Sequence, residues 1–263
     1  MAKKNPKPKT TRRHRRRRRR GSLGPFLRVL SVLLTAVAIV AAITLFFKVG
    51  EVEVVGATRY TPEEIIATSQ VQEGDNLVLL DKYHIAQRIY TELPYISEVS
   101  FDRKFPDRLE ISVRETSAAF ALPGAGTWWL VSMDGKLLEP VAEDVGKANM
   151  QLIGYGAVDP VVSGSLILPE ESPVTAERLV ELLSALGKRG MLEKTQSIDL
   201  SDPRVLSLNY DKRFRVEFYY TADFNFKLDC LSATVESLQP NETGIIRMTM
   251  EDDSEVRFIP YTQ

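Results

Sequence analysis

The sequence predicts an α+β fold: a compact β-α-α-β-β unit, then a larger and mostly antiparallel β region with flanking helices. Three observations carry this. Short runs of alternating apolar and polar residues, bounded by Gly, Pro and Asp, mark strands. Four stretches carry helix signals, a capping box or apolar residues recurring on one helical face. One uncharged run, Val29 to Phe47, is too long and too apolar for either class and marks a membrane span ahead of them.

Charge divides the chain sharply. Of its 34 Lys and Arg, 14 lie in residues 1–50, which contain no Asp or Glu; all 35 acidic residues follow. Twelve of the first twenty residues are basic. Such clusters remain on the cytoplasmic side, so residues 1–25 read as a cytoplasmic basic tail, disordered over 1–22 and held against anionic lipid. Residues 26–47 read as the transmembrane helix, since about 20 residues at 1.5 Å each cross a hydrocarbon core of about 30 Å. The competing expectation is a cleaved leader, with Ala36-Val37-Ala38 as its cleavage pattern, but the apolar run continues nine residues past it. Nucleic-acid binding by the arginine run is the other alternative; the run has no aromatic residue for base stacking.

Residues 49–117 carry the first unit. Glu51–Val55 alternates and ends at Gly56. Thr61-Pro62-Glu63-Glu64 opens a helix: Thr61 caps, Pro62 fits the first helical position and Glu64 completes a capping box. It runs to about Ser69 with Ile65 and Ile66 inward, and Gly74-Asp75-Asn76 makes a loop. A second helix spans about Lys82–Leu93, with Ile85, Ile89 and Leu93 on one face and Pro94 as the stop. Strands follow at Ile96–Phe101 and Leu109–Arg114, with a turn at Phe105-Pro106-Asp107.

Residues 118–260 form the β domain, followed by a short tail, 261–263. Ala118–Leu122 and Trp128–Val131 read as strands, and Asp134-Gly135 turns the chain into a return strand at Leu137. The 140–170 segment reads as loop. Pro173–Arg189 is a helix with Leu179, Leu182, Leu183 and Leu186 on its buried face, ended by Gly190. Ser197–Leu200, Val205–Tyr210 and Phe214–Tyr219 are strands. Phe224–Leu238 is a helix that turns Leu228, Leu231, Val235 and Leu238 inward and buries Cys230. Ile245–Met250 and Glu255–Ile259 close a hairpin around Asp252-Asp253.

The stretches VEVVGATRYTPEEI and LPYISEVSFDRKFPDRLEISVRE, placed directly after a membrane helix, resemble the POTRA domain of the bacterial FtsQ/DivIB division family, and WWLVSMDGKLLE resembles the start of that family's β domain. The resemblance covers roughly residues 24–260; YYTADFNFKL departs from it locally. It implies a single-pass type II membrane protein with a cytoplasmic N-terminus and an extracytoplasmic bulk, sited at the division septum. It further implies a non-enzymatic scaffold whose partners are small bitopic proteins of the FtsB/DivIC and FtsL type, with septal peptidoglycan synthases joining downstream. The final hairpin would supply the binding edge, through Thr249, Met250, Val256, Phe258 and Ile259, with Phe258 foremost.

The residues themselves offer little catalytic chemistry. His14 lies in the arginine run and His84 near a helix start, and neither is placed to serve Ser132, Ser163 or Cys230. No H-E-x-x-H, C-x-x-C or glycine-rich phosphate loop occurs. Asp102, Glu170-Glu171 and Asp252-Asp253 are the candidate carboxylates for glycan cleavage, and Glu251-Asp252-Asp253 the candidate metal site. No catalytic, metal or cofactor site is expected, and no specific nucleic-acid partner. The alternative function is a membrane-anchored cell-envelope enzyme acting on peptidoglycan.

Overall fold

The computed structural model describes residues 23–249 and 255–261. The expectations for the basic tail, for Met250 and for the Glu251-Asp252-Asp253 turn lie outside the described residues. Residues up to Phe47 and those from Lys48 onward form two separate compact units.

The described part of the first unit is one helix, α1 (Leu23–Phe46), of which Gly24–Ala42 is long and apolar enough to cross a membrane. Its hydroxyls are tied to its own backbone. Ser31 Oγ donates to the Arg28 carbonyl (2.9 Å), Thr35 Oγ1 to that of Ser31 (2.9 Å) and Thr44 Oγ1 to that of Ala41 (3.0 Å). A helix that also satisfies its side-chain donors internally is suited to an apolar solvent.

The second unit begins with the β-α-α-β-β order expected: β1 (Glu51–Val55), α2 (Pro62–Ser69), α3 (Lys82–Glu92), β2 (Ile96–Lys104) and β3 (Arg108–Glu115). The sheet order is β1-β3-β2, with β1 parallel and β2 antiparallel to β3. The capping box forms as read: Thr61 accepts from the Glu64 N–H (3.2 Å), and Glu64 accepts from the Thr61 N–H (2.8 Å). Asp81 caps α3 by accepting from the His84 N–H. Ile65, Ile85, Ile89, Leu109 and Ile111 are buried between helices and sheet. Ile66 is only half-buried, because on this eight-residue helix it sits at the margin of the buried face.

A nine-stranded mixed sheet follows. In chain order its elements are β4 (Ala118–Gly124), β5 (Thr127–Ser132), β6 (Leu137–Val141), α4 (Glu143–Ala148), β7 (Gln151–Ile153), α5 (Ala176–Lys188), a 3-10 turn at Leu192–Lys194, β8 (Thr195–Asp199), β9 (Val205–Tyr210), β10 (Phe214–Tyr219), α6 (Phe224–Ser237), β11 (Gly244–Arg247) and β12 (Arg257–Pro260). The strands lie in the order β12-β11-β10-β9-β8-β7-β4-β5-β6. Five neighbouring pairs are antiparallel; β4/β7, β7/β8 and β10/β11 are parallel. One face carries the main core. Leu179, Leu182, Leu183 and Leu186 of α5 and Phe224, Leu228 and Leu231 of α6 pack on Phe120, Leu122, Ile198, Leu206, Val216, Phe218 and Ile246.

Several expectations need correcting. The helix expected from Pro173 starts at Ala176, because the Thr175 side chain accepts from the Arg178 N–H and fixes the start there. The 140–170 segment is not all loop: it forms α4 and β7. Val235 and Leu238 are half-buried at the end of α6, and Cys230 on that helix is half-buried too. The last two strands are shorter than expected, so Thr249 and Val256 flank the hairpin strands rather than lie within them.

The two sheets meet at a closed joint. Tyr95 is buried against Ala121, Leu130 and Leu138, with Tyr60, Trp128 and Val141 around them. The Tyr95 hydroxyl donates to Glu139, and the Arg59 guanidinium lies 3.6 Å from the Tyr95 ring centre and 3.6 Å from Glu139. Burial, then the bond to Glu139, pushes the Tyr95 hydroxyl pKa up to about 12. Lys136 reaches across from the turn before β6 and donates to the carbonyls of Tyr90 (3.0 Å) and Ile96 (3.1 Å).

Candidate docking edge

The sequence drew attention to the closing hairpin, and the structure places it at the end of the nine-stranded sheet. β11 continues from β10 through the α6 crossover, and β12 folds back along β11 with Gly244 opposite Pro260, Ile245 opposite Ile259 and Ile246 opposite Phe258. Tyr261 N–H extends the pairing by donating to Thr243 (3.0 Å). Among the described residues no strand lies on the outer side of β12, so its outward N–H and C=O groups form an open ladder. Gly244 allows the close approach. A Cβ there would stand 2.3 Å from the Ile259 carbonyl oxygen and 2.8 Å from the Phe258 ring.

Alternation gives the edge two faces. Phe258 lies on the core side with Ile246, half-buried, its ring edge-on to Phe214 at 6.2 Å. Val256 also packs against the core. Ile259 faces the other way, with Ile245, and is half-buried without belonging to that core. Thr249 follows β11 and is half-buried. The structure thus brings Phe258 and Ile259 together on one strand with Val256 leading in.

That other face carries residues the sequence reading missed. Arg215, Glu217 and Arg247 share it by register. Glu217 bridges the two arginines, 3.2 Å from Arg215 and 3.0 Å from Arg247, and Arg215 also donates to Ser207 (3.1 Å). The signal was present as charged residues at alternate positions 215 and 217 of a strand. Only the parallel pairing to β11 adds Arg247 to the row.

Of the residues with catalytic potential, Ser132 and His84 are engaged locally, and the buried Ser163 hydroxyl has no hydrogen-bond partner among the described residues. The Ser132 hydroxyl bonds Asp134 and the Lys136 backbone within its own turn. His84 is exposed and lies 2.5 Å from Asp81. Among the described residues no three His, Cys, Asp or Glu side chains gather as a metal site.

Comparison with known proteins adds the following. The family model for the FtsQ-type POTRA domain matches residues 47–116. The chain is similar to cell division protein FtsQ of Corynebacterium glutamicum, 32% identical over 108 residues, covering 41% of this chain and 48% of that one. It is 27% identical over 129 residues to cell division protein DivIB of Clostridium botulinum, covering 49% and 50%. The match to FtsQ of Geotalea daltonii is longer, 24% identical over 206 residues, covering 74% and 70%. The chain spans about half the length of the first two relatives.

Proposed function

Because this chain belongs to the FtsQ/DivIB family of cell division proteins, we propose that it is a single-pass type II scaffold of the division machinery rather than an enzyme. In this reading α1 spans the membrane, the basic tail stays in the cytoplasm, and the POTRA domain (49–117) and β domain (118–260) stand outside, at the septum. The protein recruits small bitopic division proteins of the FtsB/DivIC and FtsL type, and through them the septal peptidoglycan synthases.

The observation that carries the reading is the open edge at β12. An extended segment of a partner completes the ladder there, with main-chain hydrogen bonds giving affinity and side chains giving specificity. Phe258 and Ile259 offer apolar contact on the two faces, Val256 and Thr249 border them, and Met250 belongs to the same proposed surface. The row of Arg215, Glu217 and Arg247 beside it supplies polar selectivity.

The test is affinity capture of the full chain from detergent-solubilised membranes of its host, read by mass spectrometry. Recovery of small coiled-coil division proteins, lost when residues 244–263 are deleted, is expected. Recovery without any division protein overturns the scaffold reading. Peptidoglycan digestion by the purified chain would overturn the non-enzymatic part.

A further inference from the structure

Beside the joint between the two sheets lies a cavity of about 300 Å³, at the small end of the range for ligand sites. Tyr90, Ile96 and Ser97 line it from the three-stranded side, and Asp134, Lys136 and Ser163 from the nine-stranded side. Three separate stretches build it: the end of α3 with the start of β2, the turn before β6, and residues 163–166, which run back along that turn. Leu137 N–H donates to the Gly164 carbonyl (2.8 Å), Ser163 N–H to that of Leu137 (2.8 Å) and Leu166 N–H to that of Gly135 (2.7 Å).

The polar groups of this cavity are only partly used. The Lys136 ammonium carries three N–H donors. Two of them meet the Tyr90 and Ile96 carbonyls, and no third hydrogen bond forms among the described residues. Asp134 accepts from the Ser132 hydroxyl through one carboxylate oxygen, and the other has no hydrogen bond among the described residues. Burial lowers the Lys136 pKa, and the Asp134 charge works against that lowering. The two charges thus act on each other across one cavity, yet among the described residues no ion pair closes between them. Ser163 adds a third open group. Its hydroxyl is buried without a hydrogen-bond partner, and its backbone stands at a φ of 63°, the left-handed region that disfavours a side chain. Unpaired buried hydroxyls and strained residues both persist at a cost, and both gather at binding sites. A serine side chain turns among three staggered wells, so this hydroxyl can swing to an acceptor offered in the cavity.

We propose that the cavity binds a small zwitterion of the amino-acid class, with its carboxylate held by Lys136 and Ser163 and its ammonium held by Asp134. A simple anion would meet Asp134, and a simple cation would meet Lys136. A neutral molecule would leave both charges unpaired. A molecule that carries both charges on one carbon answers each of them, through hydrogen bonds that are the stronger for being charge-assisted. It would also touch all three stretches of the wall and brace the joint between the sheets.

The test uses the full chain in detergent, titrated with alanine and glycine, and with acetate and methylammonium as the two half-ligands. Calorimetry reads binding, and the unfolding temperature reads bracing of the joint. Alanine is expected to bind saturably, about tenfold more tightly than either half-ligand, and to raise the unfolding temperature by mass action. Asp134→Asn keeps an acceptor for Ser132, and Ser163→Gly suits the positive φ, so both variants should fold. Each is expected to weaken alanine binding about tenfold. Lys136→Met should abolish it, but that variant also loosens the joint, so the other two decide. Absence of saturable binding by alanine and glycine overturns the site. Acetate binding as tightly as alanine overturns the zwitterion, and alanine binding unchanged in both Asp134→Asn and Ser163→Gly overturns the assignment to this cavity.

Discussion

The joint between the two sheets and the free edge at β12 are opposite solutions to one problem, the placing of strand and side-chain polar groups at a boundary. At the joint each group highlighted is satisfied from the other side: the Tyr95 hydroxyl by Glu139, and the Tyr90 and Ile96 carbonyls by Lys136. Burial holds the Lys136 ammonium pKa below the usual lysine value, yet its charge spans two carbonyls, one in α3 and one at the start of β2. At β12 the outward ladder is left open and the side chains are half-buried. A closed boundary fixes geometry; an open one leaves a ladder that a further strand could pair with. Substitutions at the joint should therefore cost stability, and substitutions at the edge should cost binding.

The largest effect is expected from Leu138→Ala. Leu138 is fully buried at the joint, and removing its side chain should destabilise the fold by about 2–5 kcal/mol, read as a lower denaturant midpoint. A loss below about 1 kcal/mol would mean the joint collapses easily and is not a packed boundary. Lys136→Ala comes next. It strips the Tyr90 and Ile96 carbonyls of a charged donor and should cost about 1–3 kcal/mol, with amide exchange rising around 90–97 before the rest of the sheet.

Glu115 sharpens the comparison through pH. Burial works against its ionisation, but the Thr58 hydroxyl and the N–H groups of Arg59, Thr58 and Tyr60 all bond the carboxylate and together bring its pKa below the ordinary 4.5. A carboxyl depressed in the folded state contributes stability above its unfolded value, and this is lost as pH falls through the folded one. Stability should thus fall more steeply as the pH drops towards the folded pKa, and Glu115→Gln should flatten the stability profile below about pH 4.5. An unchanged profile would show that other carboxylates govern acid unfolding. The smallest stability effect is expected for Phe258→Ala. Half-buried at an edge, it should cost about 1 kcal/mol or less while abolishing partner capture. Melting of the domain, or intact capture, would return Phe258 to a packing role.

Legibility in the sequence followed the range of the forces involved. Local chemistry was read closely: β9 and β10 span the residues expected, and Asp211 and Lys212 between them both take positive φ, as a tight hairpin turn needs. The Thr61–Glu64 box is likewise written within four residues. β7 was invisible because three residues carry no period, and it is a strand through its parallel pairing with Ala121 of β4 and with Ser197, Ile198 and Asp199 of β8, the latter more than 40 residues away. The joint escaped for the same reason, with Tyr95 and Glu139 44 residues apart. Of the candidate edge, the alternation at 256–259 was legible. Its position as the outermost strand, and the Arg215–Glu217–Arg247 row beside it, required the sheet order.

The crossover that carries the chain from β10 through α6 to β11 also sets a sequence of events. Parallel pairing cannot be closed by a tight turn, so β11 finds its place only once α6 has packed against the core. β12 in turn has only β11 to fold onto. The proposed docking strand is therefore expected to be among the last to gain its register, since such long-range pairing is slow compared with helix formation. A chain still folding has no such edge to present. Assembly would then be self-timed, drawing only on copies that have finished folding, with no separate device to inspect them.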